Sequence, residues 1–324
     1  MHVIVVTSEW PTLENPASGS FVALQVDKLR SIGVDVDVFS FRGSMSPTRY
    51  VKAWFDLRKQ LRTKPYDLIH AHFGQSGLLA LPKKLPLVVT FHGSDLNGVV
   101  SVRGHTNSIA GFILREISHY VSTIANEIIV VSPKLFGSVS HPNTHLIPCG
   151  IDLSLFRPID KSIARRELQM DEDKIYVLFG ANPANPIKRY SLANNVVSNV
   201  RKRTGQDVEL LAISAEPHER MPLYMNACDV LLLTSISEGS PMVVKEALAC
   251  NLPIVSVDVG DVRERIAGVE GCIVCIDEQP TTIIGALSSV LLKGGRVDGI
   301  DAVASLSEDL LAKSVLDIYT KAIQ

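Results

Sequence analysis

The feature that most restricts the fold of this chain is a rhythm. Short runs rich in Val and Ile return along the sequence, and helix-length amphipathic stretches separate them. Repeated βα units building a parallel sheet produce that alternation. In the first half it predicts strands at 2–6, 34–41, 67–72, 87–91, 127–132 and 145–148, and between the first two Phe21, Leu24, Val26, Leu29 and Ile32 roughly trace one helical face. The second half starts afresh, with strands at 175–180, 208–213, 230–233, 253–257 and 272–276 and helices near 192–203, 219–227, 242–250 and 282–292. The reading is α/β, with two doubly wound, Rossmann-like domains in series, an organisation that 324 residues accommodate. Pro148, Gly150 and Pro158 put the join at 149–161. Ligands of such sheets sit beyond the carboxyl ends of the strands, so the loops after strands are where chemistry belongs.

The charge balance changes at the same join, from +4 over residues 1–150 to −6 over the remainder. Cations gather at Arg42, Arg49, Lys52, Arg58, Lys59, Arg62 and Lys64, opposed only by Asp56 and interleaved with Phe41, Tyr50, Trp54 and Phe55. A net charge of −2 makes this cluster too local for a nucleic-acid binder. Val51, Trp54, Phe55, Leu57 and Leu61 can share much of a helical face, so residues 42–64 are a candidate peripheral membrane contact, and an ordinary core-packed helix fits the same residues. The chain shows no uninterrupted apolar window of about 18 residues, no basic start and no cleavage pattern. Five cysteines do not make a disulfide framework, and a cytoplasmic setting is the expectation.

The most informative stretch is Thr234-Ser-Ile-Ser-Glu238-Gly-Ser-Pro-Met-Val-Val-Lys-Glu246-Ala-Leu-Ala-Cys250, directly after an expected strand. Gly239 allows a tight turn, Ser240 is a preferred N-cap and Pro241 suits the first helical position, so a helix with free N–H groups should begin there. Helix starts of this kind bind phosphate. Glu238 before the helix and Glu246 in its second turn can accept hydrogen bonds from sugar or ribose hydroxyls. A capped helix with two solvated glutamates fits the spacing equally.

The Glu238-x7-Glu246 spacing, the Glu-Ala-Leu-Ala-Cys-Asn-Leu-Pro that follows, and Gly260-Asp261 after the next strand resemble the signature of retaining glycosyltransferases of family 4, which have the GT-B fold of two Rossmann-like domains facing a cleft. Pro148-Cys149-Gly150-Ile151-Asp152, continued by Phe156 and Pro158, resembles the segment that opens the family's donor domain. Thr90-Phe91-His92-Gly93-Ser94-Asp95 is similar to its catalytic-histidine loop, and Trp10-Pro11 through Gly19-Ser20-Phe21 to its first-strand loop.

The resemblance implies an acceptor domain over 1–150 with a crossover helix at 308–324, and a donor domain over 151–307. It implies that Glu246 binds the ribose of a UDP- or GDP-type nucleotide sugar, that Glu238 holds hydroxyls of the transferred sugar, and that His92 lies beside the anomeric centre. Main-chain groups at Gly19 and at Ser240–Met242 would meet the diphosphate or the sugar, Gly239 and Pro241 shaping the loop and Ser20 following Gly19. Lys188 would neutralise the leaving phosphate. The family's usual Arg five residues before that Lys is replaced by Pro183, and Arg189 is the nearest substitute. The Lys188-Arg-Tyr-x-Leu-Ala pattern resembles a bacterial branch that builds teichuronic, capsular or exopolysaccharides. Transfer of a hexose to a glycan or lipid-linked acceptor at the inner face of the membrane is the implied activity. Two alternatives stay open, a non-catalytic nucleotide-sugar-binding subunit and a nucleotide-sugar epimerase.

No cofactor or metal is implied. Asp35-Val-Asp37 falls inside an expected strand rather than at a strand end, and Cys272-Ile-Val-Cys275 lacks a second pair. His70, His72 and His92 at adjacent strand ends could in principle hold zinc, although core or loop histidines fit them better. The first strand–helix turn lacks Gly-x-Gly-x-x-Gly, which excludes a dinucleotide oxidoreductase.

Overall fold

A computed structural model of the chain describes residues 1–16, 18–43, 46–98, 109–214 and 216–324. They form two compact units. The first comprises Met1–Leu13, Ser18–Gly150 and Glu308–Gln324, and the second Ile151–Ser307 together with residues 14–16.

The first unit is built on six parallel strands: β1 (His2–Thr7), β2 (Asp35–Ser40), β3 (Leu68–His72), β4 (Leu87–Phe91), β5 (Glu127–Val130) and β6 (Thr144–Leu146), in the order β2-β1-β3-β4-β5-β6. Helices α1 (Ser20–Ser31), α2 (Pro47–Gln60), α3 (Gly74–Gly77), α4 (Ser94–Asn97), α5 (Ile109–Ile124) and α6 (Pro133–Phe136) connect them. β1 is apolar without alternation because both of its faces are covered. Val3 and Val5 pack with Val22, Val26 and Leu29 of α1, whereas Ile4 and Val6 join Ala53 and Leu57 of α2 and Val121 of α5. The strand order reverses between β1 and β3, so the loops after these strands diverge at the carboxyl edge.

The stretch 42–64 contains α2, with residues 44 and 45 outside the described set. The expected single apolar face is corrected. Ala53 and Leu57 are buried and Leu61 packs against the same cluster, while Val51 and Phe55 are exposed. At about 100° per residue Phe55 and Leu57 lie about 200° apart, so one helix divides its apolar residues between core and surface. Among the described residues no helix is long and apolar enough to cross a membrane.

The second unit holds β7 (Ile175–Phe179), β8 (Val208–Ala212), β9 (Val230–Leu233), β10 (Ile254–Ser256) and β11 (Ile273–Val274), all parallel, in the order β11-β10-β9-β7-β8. Helices α7 (Lys161–Glu167), α8 (Tyr190–Thr204), α9 (Met221–Ala227), α10 (Met242–Ala249), α11 (Val262–Arg265) and α12 (Pro280–Lys293) flank the sheet. Val177, Leu178, Leu231 and Leu232 meet Val196, Val200, Leu248 and Leu287 in its core. β11 is shorter than its apolar run because it pairs only with the three residues of β10. The last helix, α13 (Glu308–Ile323), returns to the first unit, where Leu311, Val315 and Tyr319 join the core under α1 and Lys28 pairs with Asp309 at 3.0 Å.

Candidate active site

In the second unit the charged side chains gather where the strand order reverses, between β7 and β9. After β7 the chain makes a single 3-10 turn, Pro186–Lys188, in which the Asn185 side chain accepts from the Ile187 N–H. The loop after β9 lies against it: Ile236 N donates to Ile187 O at 2.9 Å and Thr234 Oγ1 to Lys188 O at 2.8 Å. This juxtaposition places Lys188 Nζ 2.6 Å from Glu238 Oε1 in a half-buried ion pair. Arg189 is held elsewhere. Its Nε donates to Thr234 O and its Nη1 pairs with Glu278 at 2.5 Å, so the residue named as a substitute for the missing family Arg has a carboxylate of its own.

Glu246 sits on α10 with its side chain 93% shielded and Oε1 2.7 Å from His218 Nε2. Burial works against a charged His218 ring. The Glu246 hydrogen bond and charge, with Glu219 and Asp152 beyond, outweigh it and hold the His218 pKa above the ordinary imidazole value. The two glutamates therefore have separate cationic partners.

The expected cap at the start of α10 is corrected. The helix begins at Met242 with Pro241 at the N-cap and no side-chain cap. Ser240 Oγ donates instead to Asp261 Oδ2 at 2.7 Å, since a hydroxyl bond to a buried carboxylate is stronger than one accepted from a neutral backbone N–H. Asp261 also holds Arg265 at 2.9 Å. Gly260, at φ +60, lies beneath Gly239: an added Cβ would stand 2.9 Å from Gly239 O and 3.2 Å from the Pro241 ring. Gly180 is equally confined, since a Cβ there would meet Val243 at 2.6 Å.

In the first unit His92 lies just past β4. Its ring stacks on His72 at 5.3 Å, with His72 Nδ1 3.1 Å from His92 Nε2, and Phe73 and Phe21 flank it at 4.6 and 4.9 Å. Phe21 follows Gly19 and Ser20, so the first-strand loop and the histidine loop meet. Gly19, at φ +64, folds back on Glu9, whose carbonyl oxygen would be 2.4 Å from any Cβ. The buried Asp95 carboxylate organises the turn by accepting from Gly93 N at 2.8 Å, His92 N at 3.1 Å and Gly74 N at 3.2 Å, and burial nonetheless raises its pKa. Burial, then Asp95, raises the Glu9 pKa as well.

The three-histidine zinc arrangement does not form. His70 uses both ring nitrogens on hydroxyls, 2.7 Å to Tyr319 and 2.8 Å to Thr90, although it and His72 leave the strand on one face. His72 is fully buried and its pKa falls to about 3, so its ring is neutral; among the described residues Nε2 has no hydrogen-bond partner. Asp37 is committed to Lys64 and Tyr66, which pull its pKa down to about 2. Burial raises Cys272 and Cys275 to about 11, leaving both as thiols.

Sequence reasoning assigned no role to His218 or Asp261. Nothing local marks His218, whose meaning comes from a partner 28 residues away, but Asp261 was visible as part of the Gly260-Asp261 signature.

Two doubly wound parallel sheets in series, each with glycine-shaped loops at its carboxyl edge, are the architecture of the GT-B fold. The model of Glycosyltransferase Family 4 matches residues 1–155, and that of Glycosyl transferases group 1 matches residues 164–293, so each unit is similar to a glycosyltransferase domain. It is 26% identical, over 81% of its length and 82% of the relative, to the Bacillus subtilis (strain 168) protein TuaC, named as a glycosyltransferase of teichuronic acid biosynthesis. A D-inositol 3-phosphate glycosyltransferase of Rhodococcus erythropolis is 24% identical over 82% of this chain and 71% of that one. Among solved structures, sucrose-phosphate synthase from Thermosynechococcus elongatus superposes with a TM-score of 0.76 at 19% identity, covering 99% of both chains. Anabaena HepE in complex with UDP and glucose superposes with a TM-score of 0.72 at 15% identity, over 99% of this chain and 100% of that one.

Proposed function

We propose that this transferase moves a hexose from a nucleoside-diphosphate sugar, of UDP or GDP type, to a hydroxyl of a glycan or lipid-linked acceptor in cell-surface polysaccharide synthesis, with retention of configuration. The observation that carries the reading is the Lys188–Glu238 pair at the strand-order reversal of the second unit, with Glu246 on α10 paired to His218 on the turn before α9. Glu246 takes the ribose hydroxyls, and Glu238 the hydroxyls of the sugar. Lys188 and the first amides of α10 meet the charge that develops on the diphosphate, a role that requires no metal ion. The structure of Anabaena HepE with UDP and glucose supports a uridine nucleotide, and the name of TuaC supports the polysaccharide setting.

The bond from the anomeric carbon to the phosphate oxygen breaks as the acceptor oxygen bonds to the same face of the sugar, and the acceptor proton passes to the departing phosphate. His92, its ring fixed by His72, is the residue we assign to the anomeric centre. A thermal-shift panel with UDP, GDP, ADP and CMP, run in parallel on Glu246→Gln, tests the donor assignment. A ligand at about 100 times its dissociation constant stabilises by about 2.7 kcal/mol. A shift with one diphosphate that the variant loses supports the reading, and no shift with any of them removes it. Transfer by the purified chain, unchanged by EDTA, then separates a metal-independent transferase from a binding subunit, and product analysis separates it from an epimerase.

A further inference from the structure

His92 is engaged through both ring nitrogens. His72 Nδ1 stands 3.1 Å from its Nε2, and Cys149 Sγ stands 3.8 Å from its Nδ1, close enough for a hydrogen bond to sulfur. Both partners are fixed. Cys149, half-buried three residues past β6, packs against the cluster that holds Phe91, Leu96 and Leu135. Gly150 beside it is pressed to the start of α13, where an added Cβ would stand 2.8 Å from Glu308 Cα. His72 is buried on β3 with its ring 4.3 Å from that of His70, which Tyr319 and Thr90 hold in turn.

A neutral imidazole carries one proton, and the hydrogen bond at one nitrogen decides which nitrogen has it. His72 is neutral in the fold. With its proton on Nδ1 it donates to His92 Nε2, so a neutral His92 carries its own proton on Nδ1 and donates it to the Cys149 sulfur. With the proton on His72 Nε2 every bond in the row reverses: the thiol donates to His92 Nδ1, and His92 Nε2 donates to His72. The reversed row ends in a buried N–H that meets no acceptor among the described residues, whereas the first row ends there in a bare lone pair. Orphaned buried N–H groups are rarer than under-satisfied acceptors, which favours the first row.

We propose that Cys149 is a positioning residue for His92: its sulfur accepts the Nδ1 proton and so keeps the ring oriented, and it yields that N–H to an oxygen of the transferred sugar when the donor binds. Sulfur suits the task because it is a weak acceptor. It aligns the ring without holding it as a carboxylate would, since a carboxylate would favour the imidazolium. The exchange onto the sugar rests on the transferase reading, while the protonation of His92 is measurable without any substrate.

The test records long-range proton–nitrogen correlation spectra of protein labelled with ¹⁵N-histidine, at pH 8, on wild type, Cys149→Ala and Cys149→Asn. His92→Gln identifies the His92 signals among the nine histidines, and far-UV circular dichroism checks that the folds match. Wild type should show His92 protonated at Nδ1. Cys149→Ala, which removes the acceptor, should show a mixture of the two protonation patterns, and Cys149→Asn, whose side-chain carbonyl accepts in place of the sulfur, should restore the first. With the base of the donor known from the thermal shift, Cys149→Ala should lower kcat by about tenfold, the net strength of one neutral hydrogen bond, at unchanged donor KM. Cys149→Asn should recover most of that loss. A wild type protonated at Nε2, a Cys149→Ala spectrum identical to wild type, or a Cys149→Ala enzyme with undiminished kcat would overturn the proposal. Spectra and transfer report separately: the expected spectra without turnover by wild type would remove the transferase reading, and with it the exchange onto the sugar, and leave the Cys149–His92 bond in place.

Discussion

Lys188 Nζ, on the loop after β7, stands 2.6 Å from Glu238 Oε1, on the loop after β9, across the point where the strand order of the second sheet reverses. Each group sets the other's availability. An ammonium that must meet a departing phosphate is held by the carboxylate assigned to the sugar, so binding exchanges one partner for another.

That exchange predicts opposite effects for the two single substitutions. Lys188→Met should lower kcat/KM by on the order of 10² to 10³, the range for removing one preorganised electrostatic group, and should weaken nucleoside-diphosphate binding. Glu238→Gln should also abolish most transfer but tighten the free nucleoside diphosphate, because Lys188 is released to it. Isothermal titration with steady-state kinetics checks both, and a Glu238→Gln protein that binds the diphosphate more weakly would refute the exchange.

Gly260 makes a second prediction, about the loop that carries Glu238. Gly260→Ala places a side chain in the left-handed region and 2.9 Å from Gly239 O, whereas Gly268→Ala, at φ +79, meets nothing within 4 Å among the described residues. Both should lose about 1–2 kcal/mol to backbone strain. Only Gly260→Ala should also disturb nucleoside-diphosphate binding, which urea denaturation and a thermal-shift titration on the same samples resolve. Equal ligand binding by the two variants would mean that the loop absorbs the collision.

The legibility of the sequence follows the range of the interactions. β4 and β9 can be read to the residue because strands buried on both faces are unbroken apolar runs bounded by polar turns. α2 misleads because one helical period serves two apolar faces, Leu57 inward and Phe55 outward. The cap at Ser240 misleads for a different reason: Ser-Pro before a helix is a valid local signal, but Asp261 from the following loop competes for the hydroxyl. The signature glutamates were visible by spacing, while His218 acquires its partner only when α10 packs beside the turn that bears it.

His70 and His72 predict acid lability. Burial is the first cause of both lowered pKa values, with His72 at about 3, so between that value and the ordinary imidazole range the unfolded chain binds protons that the folded chain does not. Stability then falls as pH falls, at roughly 1.4 kcal/mol per pH unit for each histidine. Urea denaturation at pH 6 and pH 5 should give a smaller loss for His72→Asn than for wild type, by about one such increment. Equal losses would show that His72 is not neutral in the fold.

The His218–Glu246 pair runs the opposite way. The folded His218 pKa lies above its unfolded value, so the pair's contribution is fully present below about pH 6.5 and is lost as pH rises through the raised folded value. Comparing wild type with His218→Gln isolates it, because glutamine can still donate to the carboxylate but cannot titrate. The difference in Tm should be largest in mildly acidic buffer and shrink toward alkaline pH. Nucleotide binding adds a second readout: a ribose must compete with His218 for Glu246, so deprotonating the ring should tighten the nucleoside diphosphate over the same interval in wild type and leave the variant's affinity flat. A Tm difference that is constant with pH, or that widens as pH rises, would mean that Glu246 and His218 are not coupled as an ion pair. The carboxylate would then meet the ribose without competition.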